Sequence, residues 1–380
     1  MPTERETDRA GLGARITALD GFPRVRRAAE QARVEARVIG GAVRDALLGR
    51  PGPLDVVTDG DHLALATALG GDVRPHERFL TATVQTPDGA IDVVRARTES
   101  YPRPGALPEV SPAGYAEDLA RRDFTVNTIA VSVRDPGTLI DPLGGEEDLR
   151  RGLLRSLHER SFVDDPTRAL RGARYAARLG LSVEQRTLEQ LRAAALETVS
   201  ADRIESELRR IAAEAAPRPA FELLDQWGLI ALPPGAADLV AAATELLAEE
   251  PWPRVVAREE VILAAARGEL GAAAQLAEAA PRSASAIVEA ARGRPAVELA
   301  LARVLGATWL DRYVDGLRDL RLAISGADLL AAGLPEGPAI GRGLAAALRA
   351  KLDGQAPTRE EEMRIATAAA AAAGDPDASH

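Results

Sequence analysis

Short apolar runs and longer amphipathic repeats divide this 380-residue chain near Gly145. Before that point, the runs ARVIGG, LDVVTD and IDVVRA predict strands, while VRDALLG and HLALATALG predict helices. FLTATVQT and IDVVRART, joined by PDGA, predict a hairpin that turns at Asp88-Gly89. The proline-rich segment SYPRPGALPEVSPAGY predicts a loop. The first part of the chain is therefore predicted to contain a mixed sheet with flanking helices.

Amphipathic helical patterns fill the rest of the chain. They are clearest in EEDLRRGLLRSL, DPTRALRGARYAARLG, SVEQRTLEQLRAAALE and ADRIESELRRIAAEAA, and nothing from Glu146 onward predicts a strand. A change in composition around Ala216-Pro217-Arg218-Pro219 indicates a boundary between arginine-rich and alanine-rich helices. The polar first dozen residues predict a frayed end, and the final AAAAAAGDPDASH predicts a helix end and a disordered tail. We therefore predict an α+β fold.

Composition limits the chemistry that the chain can perform. Because it has no cysteine and only four scattered histidines, any bound metal should be oxygen-bound, and Mg²⁺ fits best. No apolar run reaches the roughly 18 to 20 residues of a membrane span, and the N-terminus lacks a signal-peptide core, so we expect a soluble cytoplasmic protein. The net charge of −10 argues against a generally basic nucleic-acid binder, and the 3% aromatic content argues against base stacking as the main mode of RNA binding.

Gly40 and Gly41 stand between a predicted strand and a predicted helix. Such a bend places free backbone N–H groups at a helix N-terminus, where they can hold a triphosphate, and glycine allows close approach of the phosphate oxygens. Arg44, one turn into the helix, could reach the same oxygens. The alternative is a plain tight turn.

Two aspartates lie on predicted strands that could pair side by side. Asp55 opens the run DVVT, and Asp92 lies in IDVVRA. Acidic residues on adjacent strands near a phosphate site can bind Mg²⁺ through their oxygens. The alternative is that both are strand residues that face solvent.

The segment EDLARRDFTVNTIAV places Arg121, Arg122, Asp123 and Asn127 within about two helical turns. Arginines could hold triphosphate oxygens, while the carboxylate or the amide could bond to a ribose hydroxyl. The alternative is an exposed, salt-bridged start of a helix.

The segment VDDPTRALRGARYAARLG predicts a helix with Asp164 and Asp165 near its N-cap and Pro166 in its first turn. Its spacing of three, three and four places a set of arginines on one side: Arg168, Arg171, Arg174 and Arg178. The Asp165 carboxylate accepts hydrogen bonds and the neighbouring Arg168 guanidinium donates them. Together they can match the Watson-Crick edge of a nucleobase. The alternative is ordinary N-capping with intrahelical ion pairs.

Seven blocks, in order, resemble the class II tRNA nucleotidyltransferase and bacterial poly(A) polymerase family. They are VIGGAVRDALLGR, LDVVTDGD, HERFLTATV, IDVVRARTESYPRPGALPEV, EDLARRDFTVNTIAV, LIDPLGGEEDLRRGLLRSL and SFVDDPTRALRGARYAARLGL. The text from HERF to PRPGALP, with SFVDDPTR, looks most like the branch that contains A-adding and CC-adding enzymes. The resemblance implies a nucleotidyltransferase head over residues 1–145, a helical neck over 146–216 with the nucleotide-selecting helix, and a helical body and tail over 217–380.

The resemblance also implies an activity: template-independent transfer of CMP or AMP from CTP or ATP to the 3′ end of tRNA, with Mg²⁺ held by Asp55 and Asp92. The implied nucleotide-binding residues are Gly40, Gly41, Arg44, Arg121, Arg122, Asp123, Asn127, Asp165, Arg168, Arg171 and Arg174. Asp165 and Arg168 match the nucleotide-selecting pair of the family's EDxxR motif, with Asp164 in place of glutamate. The loop around Arg97 to Glu117 resembles a flexible element that helps to switch specificity, and the body and tail would hold the tRNA acceptor end through its backbone.

One position departs from the family pattern. Members carry DxD on the second strand, and here Asp55 matches the second carboxylate while Pro53 falls on the first. Proline offers no side-chain oxygen, so a ligand that helps to neutralise the phosphates is lost. A catalytically impaired paralogue that binds tRNA or nucleotide is therefore a second hypothesis. A third, a poly(A) polymerase that acts on general RNA, shares the chemistry and differs only in its acceptor.

Overall fold

The computed structural model describes residues 10–50 and 52–372, and this part of the chain folds as two compact units. The N-terminal unit extends to Glu214 and includes Pro219–Ala231. The C-terminal unit contains Ala215–Arg218 and the chain from Leu232 onward. The division into head, neck, and body with tail stays a prediction. The predicted frayed start and disordered tail fall largely on residues 1–9 and 373–380, which lie outside the described residues.

A seven-stranded mixed sheet forms the centre of the N-terminal unit, as predicted. The strands in chain order are β1 (Arg37–Ile39), β2 (Asp55–Thr58), β3 (Asp72–His76), β4 (Thr81–Thr86), β5 (Gly89–Arg95), β6 (Arg97–Ser100), β7 (Glu109–Pro112), β8 (Ala130–Ser132), β9 (Leu139–Ile140), β10 (Leu153–Leu154) and β11 (Ser182–Val183). The sheet order is β3-β4-β5-β2-β1-β8-β9. β2 and β5 run parallel, and the other neighbours run antiparallel. The predicted hairpin is β4–β5, in which Thr86 lies opposite Gly89.

Helices surround this sheet and continue through the rest of the described chain. Those up to the end of the N-terminal unit are α1 (Leu12–Thr17), α2 (Phe22–Ala32), α3 (Gly41–Leu47), α4 (His62–Leu69), α5 (Tyr115–Ala120), α6 (Gly145–Arg150), α7 (Ser161–Asp164), α8 (Thr167–Leu179), α9 (Gln185–Arg192), α10 (Ala201–Ala212) and α11 (Arg218–Gln226). The later ones are α12 (Ala236–Leu246), α13 (Arg258–Arg267), α14 (Ala273–Glu278), α15 (Ala284–Ala291), α16 (Ala296–Val304), α17 (Leu310–Val314), α18 (Gly326–Ala331), α19 (Pro338–Leu352) and α20 (Arg359–Ala372). Short 3-10 helices span Glu77–Phe79, Thr125–Asn127, Leu196–Thr198, Trp252–Arg254 and Leu317–Asp319.

The apolar runs of the sequence form the buried centre of the sheet. Val38, Val56 and Val93, on the three strands β1, β2 and β5, have no exposed surface. Burial of β-branched side chains on a pleated surface is what these runs predict. Because β2 and β5 are central, the residue that opens β2 is held rigidly against β5.

Two predictions about strands are wrong. The segment predicted as a loop contains the last residue of β6 and all of β7. These strands pair with each other, with Ser100 opposite Glu109, so that the loop is only residues 101–108. Proline is tolerated in this small two-stranded sheet because its strands have open edges. β10 and β11 lie in the region predicted to lack strands, and they pair over two residues each. A two-residue strand is too short to show a period in the sequence.

A buried carboxylate organises the end of the C-terminal unit. Glu362 on α20 has no exposed surface and accepts hydrogen bonds from the backbone N–H groups of Ala323 and Ile324 at 2.7 and 3.2 Å. Its other oxygen accepts from Lys351 Nζ at 2.6 Å. The chain's single lysine therefore ties α19 to α20. Across the part of the chain that the structure describes, none of the helices combines the length and apolar character that crossing a membrane requires.

Candidate active site

β1 ends in a bend that leads directly into α3. Gly40 has a φ of +67°, a left-handed conformation that favours glycine. Its N–H donates to the carbonyl oxygen of Ile129 at 2.9 Å. A Cβ at this position would lie 3.2 Å from Arg122 Nη1 and 3.4 Å from the carbonyl oxygen of Asn127. The bend therefore requires a residue without a side chain, and it lies against two other residues of the predicted site.

A buried chain of hydrogen bonds connects α3 to α8. Arg44 donates from Nε to Asp45 Oδ1 at 2.8 Å and from Nη1 to Asn127 Oδ1. Asn127 Nδ2 donates to Asp123 Oδ1 at 2.9 Å, and Asp123 Oδ2 accepts from Arg171 Nε at 2.9 Å. Burial acts to raise the pKa of Asp123, but Arg171 and the Asn127 hydrogen bond outweigh it and lower that pKa to about 2. Asp123 is therefore ionised at neutral pH and holds Arg171 in place.

The segment that contains Arg121 and Arg122 follows a helix and does not start one. α5 ends at Ala120, so the predicted spacing over two helical turns is wrong. Arg121 donates to Glu99 Oε1 at 2.6 Å and to Asp118 Oδ1 at 2.7 Å, while Arg122 Nη2 donates to Asp118 Oδ2 at 3.0 Å. Arg122 Nε is buried and has no hydrogen-bond partner among the described residues. Carboxylates anchor both arginines, and only Arg122 of the two keeps an unused buried donor.

Asp165 and Arg168 lie at the start of α8. Asp165 Oδ1 accepts from the backbone N–H and the hydroxyl of Thr167 at 3.1 and 2.6 Å, and from Arg203 Nη2 at 2.8 Å. Arg168, only 6% exposed, donates from Nη1 to Ser161 Oγ at 2.9 Å. The N-cap of α8 is Pro166 and has no side-chain cap hydrogen bond; Asp165, one residue earlier, accepts the N–H of Thr167, the first residue of the helix. Asp165 Oδ2 accepts no hydrogen bond from the described residues.

Residues 97–101 add side chains that the sequence did not single out. Glu99 Oε2 accepts from the Tyr101 hydroxyl at 2.9 Å and lies 4.0 Å from Arg168 Nη2. Arg97 Nη2 lies 3.1 Å from Glu99 Oε1. Arg168, in the first turn of α8, therefore contacts the hairpin β6–β7, which is distant in sequence.

The arginine stripe of α8 packs around one aromatic ring. Tyr175 is 9% exposed, and the guanidinium carbons of Arg174 and Arg44 lie 4.8 and 5.3 Å from its ring centre. Arg178 Nη2 donates to Asp45 Oδ2 at 2.9 Å. Arg174 Nη1 also lies 3.4 Å from Glu214 Oε1, and Arg171 Nη2 lies 2.6 Å from Asp123 Oδ2, so cation–π contacts and ion pairs together hold the stripe in place.

Asp55 and Asp92 are direct partners on the parallel strands β2 and β5. Asp92 is exposed, and its Oδ1 accepts from Thr83 Oγ1 at 2.7 Å. Burial and the charge of Asp92 raise the pKa of Asp55 to about 6, although Arg122 and Arg44 act to lower it. Pro53 is exposed and lies two residues before β2, so no side-chain oxygen stands there.

As a site for a divalent cation, this pair of carboxylates needs further oxygen ligands. Within residues 10–50 and 52–372, no group of three or more His, Cys, Asp or Glu side chains is arranged to hold a metal ion. Mg²⁺ is commonly held by one or two carboxylates together with substrate phosphate oxygens. Asp55 and Asp92 fit that smaller requirement, and the pKa of Asp55 is raised first by its burial and then by the charge of Asp92, which a bound cation would offset.

The predicted nucleotide-binding residues line one cavity of about 460 Å³ in the N-terminal unit. That volume lies within the roughly 300–1,000 Å³ of small-molecule sites. The predicted residues on its wall are Gly40, Gly41, Arg44, Asp55, Arg121, Arg122, Asp123, Asn127, Asp165, Arg168, Arg171 and Arg174. Asp92 and Asp164 are not on that wall. Lining residues that the sequence analysis did not propose include Asp45, Phe79, Glu99, Tyr101 and Tyr175.

The fold and this cavity define a nucleotidyltransferase-type head followed by helices. Residues 36–155 match the Poly A polymerase head domain family. The chain is 37% identical to a CC-adding tRNA nucleotidyltransferase of Deinococcus radiodurans over 348 residues, which cover 86% of this chain and 87% of that protein. It is 43% identical over 211 residues to an A-adding tRNA nucleotidyltransferase of Halalkalibacterium halodurans, covering 52% of this chain and about half, 49%, of that protein.

Solved structures agree with these sequence matches. A CCA-adding enzyme in an apo form superposes with a TM-score of 0.75 and 27% identity, covering 97% of this chain and 100% of that one. The Thermotoga maritima CCA-adding enzyme complexed with tRNA gives a TM-score of 0.69 and 25% identity, with coverage of 97% and 99%. The chain therefore belongs to the class II tRNA nucleotidyltransferase and bacterial poly(A) polymerase family.

Proposed function

We propose that this chain transfers CMP, AMP or both from CTP or ATP to the 3′ end of tRNA without a nucleic-acid template. The observation that carries the proposal is that the bend at Gly40-Gly41 and the Asp165–Arg168 pair line the same cavity. One nucleoside triphosphate can then place its phosphates at the bend and its base at the start of α8. The names of similar proteins, CC-adding and A-adding tRNA nucleotidyltransferases, support this activity.

The phosphates would bind on the arginine side of the cavity. Arg44, Arg122 and Arg174 reach it from three different segments, and guanidinium groups bind phosphate oxygens in a bidentate manner. Each of these arginines has a fixed position before the ligand arrives, because hydrogen bonds or ring contacts hold it. Such preorganisation reduces the entropy that binding costs.

The base would be selected by Asp165 and Arg168. Cytosine and adenine both carry an exocyclic amino group on the Watson-Crick edge, where uracil and guanine carry a carbonyl oxygen. Asp165 Oδ2 accepts no hydrogen bond from described residues, so it is available to accept from that amino group. A carbonyl oxygen facing the same carboxylate would leave two acceptors unpaired, which disfavours UTP and GTP.

Asp55 and Asp92 would hold the divalent ion, for which Mg²⁺ is our proposal. Enzymes of this family generally use divalent metal ions. When bound, the ion would supply positive charge to the triphosphate and lower the pKa of the attacking hydroxyl. Asp55 lies on the cavity wall, and it must be deprotonated to bind the ion, which its pKa of about 6 permits at neutral pH.

The acceptor in this proposal is the 3′ end of tRNA, held by the helical C-terminal region. The similar Thermotoga maritima enzyme was solved in complex with tRNA, and the match covers 97% of this chain. Shape and backbone recognition suit this chain because it is poor in aromatic residues.

Pro53 favours a second candidate function. With no carboxylate before β2, the chain could bind nucleotide and tRNA without efficient transfer, as a binding module. Removing one preorganised electrostatic group from a transfer site commonly costs about 100-fold or more in rate.

Purified protein incubated with tRNA that lacks its terminal nucleotides, Mg²⁺ and radiolabelled CTP or ATP separates the two candidates. The transferase proposal expects slow incorporation by the natural sequence and at least about 100-fold faster incorporation by Pro53→Asp. Pro53→Ala is the matched control, since it removes the proline without adding an oxygen ligand. Product only from Pro53→Asp, or no product from any variant with either nucleotide, would overturn the transferase proposal for the natural sequence.

A further inference from the structure

Arg203 on α10 is not part of the predicted site or of the cavity wall, yet it contacts two elements that border the cavity. Its side chain is 23% exposed, and the two ends of its guanidinium fork point at different partners. Nη2 donates to Asp165 Oδ1 at 2.8 Å, and Nη1 donates to the carbonyl oxygen of Gly105 at 2.8 Å. One planar group therefore connects the start of α8 with the 101–108 loop.

At the α8 end, this contact fixes the direction of the Asp165 carboxylate. Oδ1 accepts from Arg203 and twice from Thr167, which saturates that oxygen. The opposite oxygen, Oδ2, is then the one left for a ligand. Without Arg203, Thr167 alone would orient the carboxylate, and both of its contacts are local ones that a rotation of the side chain can break.

At the loop end, Gly105 is held on three sides. Its N–H donates to the carbonyl oxygen of Asp164 at 3.3 Å, and its own carbonyl oxygen accepts from Arg203. Its φ is +71°, and a Cβ there would lie 2.4 Å from Thr198 Oγ1 and 2.6 Å from the Thr198 carbonyl oxygen. The loop therefore fits against the helices only with glycine at this position. Tyr101, at the start of the same loop, lies 3.5 Å from Arg168 Nη2.

We propose that Arg203 is a positioning residue for nucleotide selection: it locks Asp165 in the orientation that reads the base and makes that orientation depend on the position of the 101–108 loop. The inference rests on the proposed function, because it concerns how the same pair distinguishes bases. Both members of the pair are then coupled to one loop, Arg168 through Tyr101 and Asp165 through Arg203.

The fork geometry of arginine is essential to this role. Lysine carries the same charge but a single ammonium group, which cannot bind two separated acceptors in a fixed plane. A purely electrostatic role for Arg203 would survive replacement by lysine, whereas the bridging role would not. Arg203→Lys is therefore the informative variant.

Calorimetry in EDTA measures the affinities for CTP, ATP, UTP and GTP without any contribution from the metal site. Their ratios give the preference for C and A over U and G. Arg203→Lys should narrow that preference by about 3- to 10-fold, the effect of one hydrogen bond. Its affinity for inorganic tripolyphosphate should not change, because the phosphate-side arginines are untouched. Arg209→Lys is the matched control, since Arg209 lies on the same helix, pairs with Glu205 at 3.2 Å and is 51% exposed.

A preference retained in full by Arg203→Lys would overturn the inference and leave the proposed function standing. Equal losses for nucleotides and for tripolyphosphate would also overturn it, because they would indicate a general disruption of the fold. Equal binding of all four nucleotides by the natural sequence would overturn base selection itself, and with it the proposed function.

The dependence of the Asp165 orientation on the 101–108 loop has a separate test. Gly105→Ala should displace the loop, because its Cβ would clash with Thr198, and should narrow the same preference. If Arg203 carries the coupling, the double variant Gly105→Ala with Arg203→Lys should lose no more than the larger of the two single losses. Additive losses would show that the loop and Asp165 act independently.

Discussion

Replacing Asp55 by asparagine should stabilise the N-terminal unit at neutral pH while removing a predicted metal ligand. Burial and the facing carboxylate of Asp92 raise the pKa of Asp55 to about 6. Ionisation of Asp55 therefore destabilises the folded protein. Asparagine has nearly the same shape and does not ionise. Sites built for charged ligands are often stabilised when the charge is removed, with loss of function.

The magnitude follows from the size of the pKa shift. The ordinary pKa of 3.8 rises to about 6, and one unit corresponds to about 1.4 kcal/mol, so the full effect is about 3 kcal/mol. Because the folded-state pKa is raised, the stabilising contribution of protonated Asp55 is complete below pH 3.8 and is lost as the pH rises to about 6. About half of this loss in the free energy of unfolding occurs above pH 5. The advantage of the asparagine variant should therefore grow between pH 5 and 7 and level off beyond that.

Urea denaturation between pH 5 and 8 in EDTA, with hydrogen exchange of the β2 amides as a local readout, measures this difference. Asp72→Asn is the matched control, because Asp72 is on β3 of the same sheet in an exposed pair with Arg74. Added Mg²⁺ should stabilise only the natural sequence and so reduce the difference. An asparagine variant that is no more stable than the natural protein at pH 8, or a difference that does not vary with pH, would refute the reasoning.

Two further predictions concern buried carboxylates that hold arginine or lysine. Glu362→Gln should weaken the link between α19 and α20 by about 2 to 4 kcal/mol, because it breaks a buried ion pair with Lys351. Faster hydrogen exchange of the α20 amides, with exchange of the α12 amides unchanged, would confirm this prediction. Asp45→Asn should destabilise the N-terminal unit by about 3 kcal/mol, because Arg44 and Arg178 lose their shared counter-charge. Tripolyphosphate should restore part of that loss in urea denaturation, and an absence of any restoration would contradict a phosphate site beside these arginines.

Periodic features of the site were predictable from the sequence. The spacing of Arg168, Arg171 and Arg174 follows the turn of a helix, so their common face could be predicted from the numbers alone. The hairpin could be predicted because Asp88-Gly89 is a strong turn signal between alternating runs. In both cases, the information lies within about a dozen residues.

Features that depend on distant partners were not predictable in the same way. Glu99 lies near Arg168 only because the hairpin β6–β7 folds against α8, and an isolated glutamate in a sequence gives no sign of that. Asp45 looks like one half of an ordinary neighbouring ion pair with Arg44, until the structure shows Arg178 on its other oxygen. Such contacts join residues that are far apart in the chain, and the periodicity of a single segment does not encode them.

The contrast between Pro53 and the rest of the cavity has a physical explanation. Arg44, Asp123 and Arg168 are 2%, 4% and 6% exposed, and their hydrogen bonds join α3, the segment after α5, and α8. Replacing Asp123 would leave Arg171 without its counter-charge, at a cost of about 3 to 5 kcal/mol, and replacing Arg44 or Arg168 would leave buried acceptors without their donors. Pro53 is exposed, so a carboxylate there can be lost without harm to the fold. A lineage that gave up nucleotide transfer would therefore lose the DxD aspartate first and keep the arginine network for its stability. Incorporation by Pro53→Asp beside the natural sequence, and not the presence of these arginines, decides which of the two functions the chain performs.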